Sequence, residues 1–99
     1  MIIISQTCYP TESAEAMGKR FLELPPLPDY IKMIGPYIKT GIGEGIKGLV
    51  IYEFEDSKYP EASKFLNERA AKMIGIPGFT YSLDHWIEAQ DALALIGLA

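Results

Sequence analysis

The chain has 99 residues, 48% of them hydrophobic, which is the content of a single domain spanning 1–99; a chain of this length buries roughly two-thirds of its unfolded surface, so one modest core is expected and a second domain is excluded. The formal charge is -4, and the nine Lys and Arg are scattered among thirteen Asp and Glu, which argues against nucleic acid, whose phosphates need a clustered basic face. Cys8 is the only cysteine, so no internal disulfide forms and a reducing compartment is the simpler reading. The apolar start, Met1 to Ile4, has no basic n-region or cleavage site, and no stretch approaches the roughly 18 apolar residues of a membrane span. The expectation is a soluble cytoplasmic protein with no membrane partner.

Met1 to Tyr9 carries three consecutive isoleucines and then small polar residues in alternation, which predicts a buried central strand. Pro10 and Thr11 end it. Thr11 is placed to cap a helix, with Glu12 and Glu15 near the positive end of its dipole, and Ala14, Met17, Gly18, Phe21 and Leu22 recur at helical spacing on its apolar stripe. Pro25-Pro26-Leu27-Pro28 cannot continue a helix and reads as a stiff connection toward Asp29; a polyproline ligand for a partner domain is the alternative.

Tyr30 to Thr40 and Gly45 to Glu55 read as the arms of a hairpin around Gly41-Ile42-Gly43-Glu44-Gly45. A turn centred on Gly43 sets Lys39 opposite Lys47, Tyr37 opposite Leu49, Gly35 opposite Ile51 and Met33 opposite Glu53. The other face then collects Ile34, Pro36, Ile38, Ile46, Val50, Tyr52 and Phe54, the more uniformly apolar set, which is assigned to the layer beneath the helices; a one-residue slip would reverse the assignment. Pro36 cannot donate to a ladder, so its strand is predicted at an edge.

Ser57 to Ile74 is the second predicted helix, with Pro60 in its first turn, a stripe of Ala62, Phe65, Leu66, Ala70 and Met73, and Gly75 as its stop. After Pro77 and Gly78, Phe79, Tyr81, Leu83, His85 and Ile87 alternate with Thr80, Ser82, Asp84, Trp86 and Glu88 as a fourth strand. From Ala89 to Leu98 the pattern is helical and apolar. So short a helix is not stable alone and must dock on this domain or on a second copy. The order strand, helix, strand, strand, helix, strand predicts an α+β fold: a ferredoxin-like βαββαβ two-layer sandwich with a short C-terminal helix.

With that order, the run Val50 to Asp56 (VIYEFED) leading into a helix, and the aromatic last strand followed by Glu88 to Ala94 (EAQDALA), the chain resembles the dimeric α/β-barrel superfamily, in particular its small uncharacterised prokaryotic branches. The resemblance implies a homodimer in which two open sheet faces close a barrel. Better-known members include cofactor-independent monooxygenases, haem-handling proteins and stress-response barrels. No local motif aligns their catalytic residues with this chain. The predicted uncovered face, with Ile31, Met33, Tyr37, Leu49 and Ile51, points independently to a dimer, because large apolar patches are unusual on monomers. The rival is that the tail after Glu88 folds over this face within one chain.

Glu53 is the main chemical anomaly, a carboxylate expected among Met33, Ile51 and Leu49, where desolvation would tune it as an acid or base. A salt bridge to Lys32 or to a partner lysine is the plainer reading. His85, the only histidine, reads as a proton shuttle or axial ligand, or as a hydrogen-bonded residue at the sheet edge. In a closed barrel Glu53, Tyr37 and His85 would share one cavity, with Met33 and Ile51 as apolar lining and Lys39 and Lys47 holding an anionic ligand at the mouth. That lysine pair also reads as a solvated strand end. Gly41-x-Gly43-x-Gly45 invites comparison with phosphate loops but lacks the helix that must follow one. Cys8 has no base beside it in sequence and reads as packing; Trp86 reads as an anchor against a helix or the dimer seam. No His/Cys spacing of a zinc or haem site is present, so neither a metal nor a cofactor is expected. The preferred function is a homodimer that binds a small apolar or aromatic molecule, or is purely structural. The alternatives are a cofactor-independent oxygenase or isomerase acting on an aromatic or enolisable carbonyl compound, with Glu53 or His85 as base, and haem binding through His85.

Overall fold

The isoleucine-rich start forms strand β1 (Ile2–Tyr9), which pairs antiparallel on one side with β3 (Gly45–Glu53) and on the other with β4 (Thr80–Trp86). The structure is a computed structural model that describes residues 1–98. β2 (Lys32–Gly41) pairs with β3, completing a four-stranded antiparallel sheet in the order β2-β3-β1-β4. The central position predicted for β1 and the edge position predicted from Pro36 are both found. Side chains alternate across β1: Ile3 and Ser5 are buried beneath the helices, whereas Ile2 and Ile4 on the other face are half-buried.

Helix α1 (Ala14–Leu22) follows a 3-10 turn at Thr11–Ser13. Thr11 does not cap the helix as predicted. Its hydroxyl donates to Glu12 Oε1 at 3.2 Å, and Ser13 Oγ instead donates to the Pro77 carbonyl at 2.6 Å, tying the helix entry to the loop before β4. Met17 is buried on the predicted stripe, but Leu22 is 84% exposed. The helix ends at Leu22 and the chain tightens through a Leu24 N–H to Phe21 carbonyl bond, so Leu24 takes the inward place.

Regular helix α2 (Tyr59–Ala71) is shorter than predicted, preceded by a 3-10 turn at Asp56–Lys58 and followed by turns to Gly75. Gly75, at φ +103°, ends the segment as its sequence position suggests. The hairpin register matches the prediction near the turn, with Lys39 opposite Lys47 and Tyr37 opposite Leu49. Beyond Gly35 and Pro36 the pairing shifts, so that Ile34 opposes Ile51, Met33 opposes Tyr52 and Lys32 opposes Glu53. The bulge adds one residue to β2, and with a side-chain period of two it exchanges the faces of Met33 and Ile34. Met33 packs against the core, Ile31 is buried in it, and Ile34 takes the open face; neither Met33 nor Ile31 is on the face where the sequence predicted it.

Both helices cover one face of the sheet, and the short dimension of the molecule, 18 Å, is that of one sheet and one helical layer. The other face carries Ile2, Ile4, Ile34, Tyr37, Leu49, Ile51 and Trp86, by their cross-strand pairing. The last helix, α3 (Ala89–Leu95), and the residues beside it from Ile87 to Leu98 are exposed, with Leu95 at 79%. The tail therefore does not fold over the open face of its own chain.

Candidate functional site

The layer between sheet and helices contains two separate apolar clusters. One gathers Ile3, Ile31, Tyr52, Phe54, Ala62 and Leu66; the other gathers Met17, Met73 and Ile76, with Tyr9, Leu24 and Phe79 packed against it. Between them the inward positions are occupied by small residues. Moving along β1 from Ile3, the inward side chains become Ser5 and then Thr7, and the β3 residue paired with Thr7 is Gly48. From α1 the facing residues are Ala14 and Gly18, and from α2 Ala70. Gly18 is exposed at the rim of this space, and a Cβ added there would meet nothing within 4 Å.

The result is a cavity of about 310 Å³, lined on its apolar sides by Met17, Phe21, Val50, Leu66, Met73 and Leu83. It lies within the usual volume range of small-molecule sites, which are mostly apolar with a few convergent polar groups. Those groups are the hydroxyls of Ser5 and Thr7, the phenols of Tyr9, Tyr52 and Tyr81, and the guanidinium of Arg69. Arg69 is held on two sides. Its Nη1 donates to the Pro25 carbonyl at 2.7 Å and its Cζ lies 5.9 Å from the Phe21 ring centroid, while Tyr52 lines the same cavity. Burial pushes the Tyr52 phenol above its ordinary pKa, partly offset by the nearby positive charge of Arg69. Tyr52 is therefore a neutral hydrogen-bond donor at physiological pH.

The residues singled out from sequence lie elsewhere. Glu53 is on the open face, level with Ile2 and Lys32, and borders a shallow polar hollow with Lys58, Glu55 and Glu88. Its cross-strand partner is Lys32 rather than Met33, but the two side chains form no ion pair among the described residues. His85 is level with Ile3 on the helix-covered face, its ring centroid 5.1 Å from that of Tyr59. Glu53 and His85 thus lie on opposite faces and are not brought together within one chain. Tyr37, Ile51, Lys39 and Lys47 are on the open face, the two lysines directly opposed and Lys47 also 3.8 Å from Glu44. Met33 is on the covered face but outside the cavity. Cys8 donates weakly to the Glu44 carbonyl at 3.5 Å, and Trp86, on the open face, is 51% exposed. Among the described residues no group of three or more His, Cys, Asp or Glu is placed to hold a metal, and no helix is long and apolar enough to cross a membrane.

The cavity residues were overlooked because each looks unremarkable in its own segment. Arg69 nevertheless carried a signal, since it falls on the stripe of Ala62, Phe65, Leu66, Ala70 and Met73, where a charged residue is out of place. Ser5, Thr7 and Gly48 carried another, as small residues at inward strand positions.

No protein-family model, curated protein or solved structure matches the chain.

Proposed function

We propose that this protein is a homodimeric, ferredoxin-like barrel that binds a small apolar or aromatic molecule, and that the binding site is the cavity between its helices and its sheet. The observation that carries the reading is the cavity itself: about 310 Å³ of apolar-walled space in a layer that close packing would otherwise fill. A cleft of this size lined by Met, Leu, Val and Phe leaves apolar surface in contact with water. A ligand that occupies it covers that surface.

Support for the dimer comes from the opposite face. Ile2, Ile4, Ile34, Tyr37, Leu49, Ile51 and Trp86 share it, with Tyr37 59% exposed. Four strands of 8, 10, 9 and 7 residues, spaced about 4.8 Å apart and rising about 3.3 Å per residue, present about 540 Å² of flat surface. A stable interface takes about 800 Å² per partner. The exposed tail, with Leu93, Leu95, Ile96 and Leu98, supplies further apolar area. A seven-residue helix is too short to hold its shape unsupported and gains it by packing on a second copy.

Native mass spectrometry of freshly purified protein tests both parts together. The expected result is a dimer that retains a defined small-molecule mass or takes one up on addition of an apolar ligand. A bare monomer at micromolar concentration, unchanged by such ligands, would contradict the proposal.

A further inference from the structure

The cavity lining has a charge imbalance that the composition of the chain makes unexpected. The protein carries thirteen Asp and Glu against nine Lys and Arg, yet among the described residues no carboxylate lines the cavity and Arg69 is its only charged side chain at neutral pH. The ion pairs among the described residues join Lys19 to Glu15, Lys47 to Glu44 and the Met1 amino group to Asp56, and none includes Arg69. A guanidinium has five N–H donors. The Pro25 carbonyl uses part of that set, and the guanidinium borders a largely apolar space. A charge in such surroundings is costly unless an anion and hydrogen bonds compensate it.

We propose that the ligand of this cavity is an apolar carboxylic acid bound as its anion, its carboxylate forked on the Arg69 guanidinium and its hydrocarbon body among Met17, Phe21, Val50, Leu66 and Met73. The proposal rests on the reading that the cavity binds a small molecule and adds the chemical class. Three features favour it. The planar guanidinium matches a carboxylate with two parallel hydrogen bonds, which a lysine cannot do. Phe21 and the Pro25 carbonyl fix the Arg69 head in place, so little side-chain entropy is lost on binding. Tyr52 lines the same cavity as Arg69, and burial keeps its phenol protonated, so its O–H is available to donate to the same carboxylate.

Isothermal titration of the full chain near neutral pH with naphthoic acid and octanoic acid, each compared with its neutral primary amide, tests the assignment. At least one acid is expected to bind about 10- to 100-fold more tightly than its amide, the range for a hydrogen-bonded charge. Naphthoic acid ahead of octanoic acid assigns an aromatic ligand, and the reverse order an aliphatic one. In Arg69→Gln the acid should fall to the affinity of the amide while amide binding is kept. In Arg69→Lys, which retains the charge without the fork, acid binding should be intermediate. An arginine that only staples Pro25 to Phe21 would weaken acid and amide alike, and that result overturns the proposal. Equal binding of acid and amide to the native chain also overturns it; if Gly18→Leu abolishes that equal binding, the cavity reading stands without the charge. Failure of all four compounds to bind overturns both. Should Arg69→Gln fail to fold by circular dichroism, the acid-to-amide ratio of the native chain and of Arg69→Lys decides.

Discussion

Two regions of the same helix-covered layer are packed to different standards. Where β1 begins, Ile3 is 4% exposed and Leu66 2%, and Tyr52, Phe54 and Ala62 close around them. A few residues further along the same strands, Ser5, Thr7 and Gly48 face Gly18 and Ala70 across a cavity of about 310 Å³. The strands, helices and backbone geometry are shared, so the difference lies in side-chain volume at successive inward positions. A hollow can therefore be written into a small two-layer fold without any special loop. On the proposed reading the packed end supplies the stability and the hollow middle receives the ligand.

Substitutions at the two regions should act in opposite directions. The largest effect is expected from Leu66→Ala, which removes a side chain from the packed end at a point that also borders the cavity. The loss should be about 2–5 kcal/mol by urea titration, toward the upper part of that range because the new space merges with an existing void instead of collapsing. A loss below about 1 kcal/mol would mean that the two regions are not packed differently after all. Gly18→Leu is the smaller, opposite case. Gly18 lies within α1, and a Cβ there meets nothing within 4 Å. The change should leave stability unchanged or raise it by up to about 1 kcal/mol through helix propensity, while abolishing ligand uptake by filling the cavity. Clear destabilisation would show that the space over Gly18 closes in solution.

The elements were legible because local physics decides them. Three isoleucines in a row make β1 a central strand, Pro36 marks an edge, and Gly75 stops the segment after α2. The hairpin pairing was correct from Gly41 to Tyr37, since the turn sets register over the first few residues. It failed past Gly35 and Pro36, where a bulge inserts one residue and transfers Met33 to the covered face and Ile34 to the open one. Periodicity gives no warning of such an insertion. The site was harder to read for a different reason. Sequence patterns reveal charges in odd places, which drew attention to Glu53 and His85, whereas a cavity is made by missing volume distributed over β1, β3, α1 and α2. Ser5, Gly18, Gly48 and Ala70 each look ordinary alone and acquire meaning only when the fold brings them to one space. Arg69 is the exception. Its position on the apolar stripe of α2 is a signal that the sequence carries.

The sheet itself separates the two accounts of where a ligand binds, and methyl NMR reads its faces independently. The most direct measurement is a titration of the methyl-labelled protein with naphthoic acid or octanoic acid. Binding between helices and sheet should shift the methyls of Met17, Val50, Leu66 and Met73 and leave those of Ile4, Ile34, Leu49 and Ile51 on the open face unmoved. Shifts confined to the open-face set would contradict the account and assign ligand binding to the other side of the sheet.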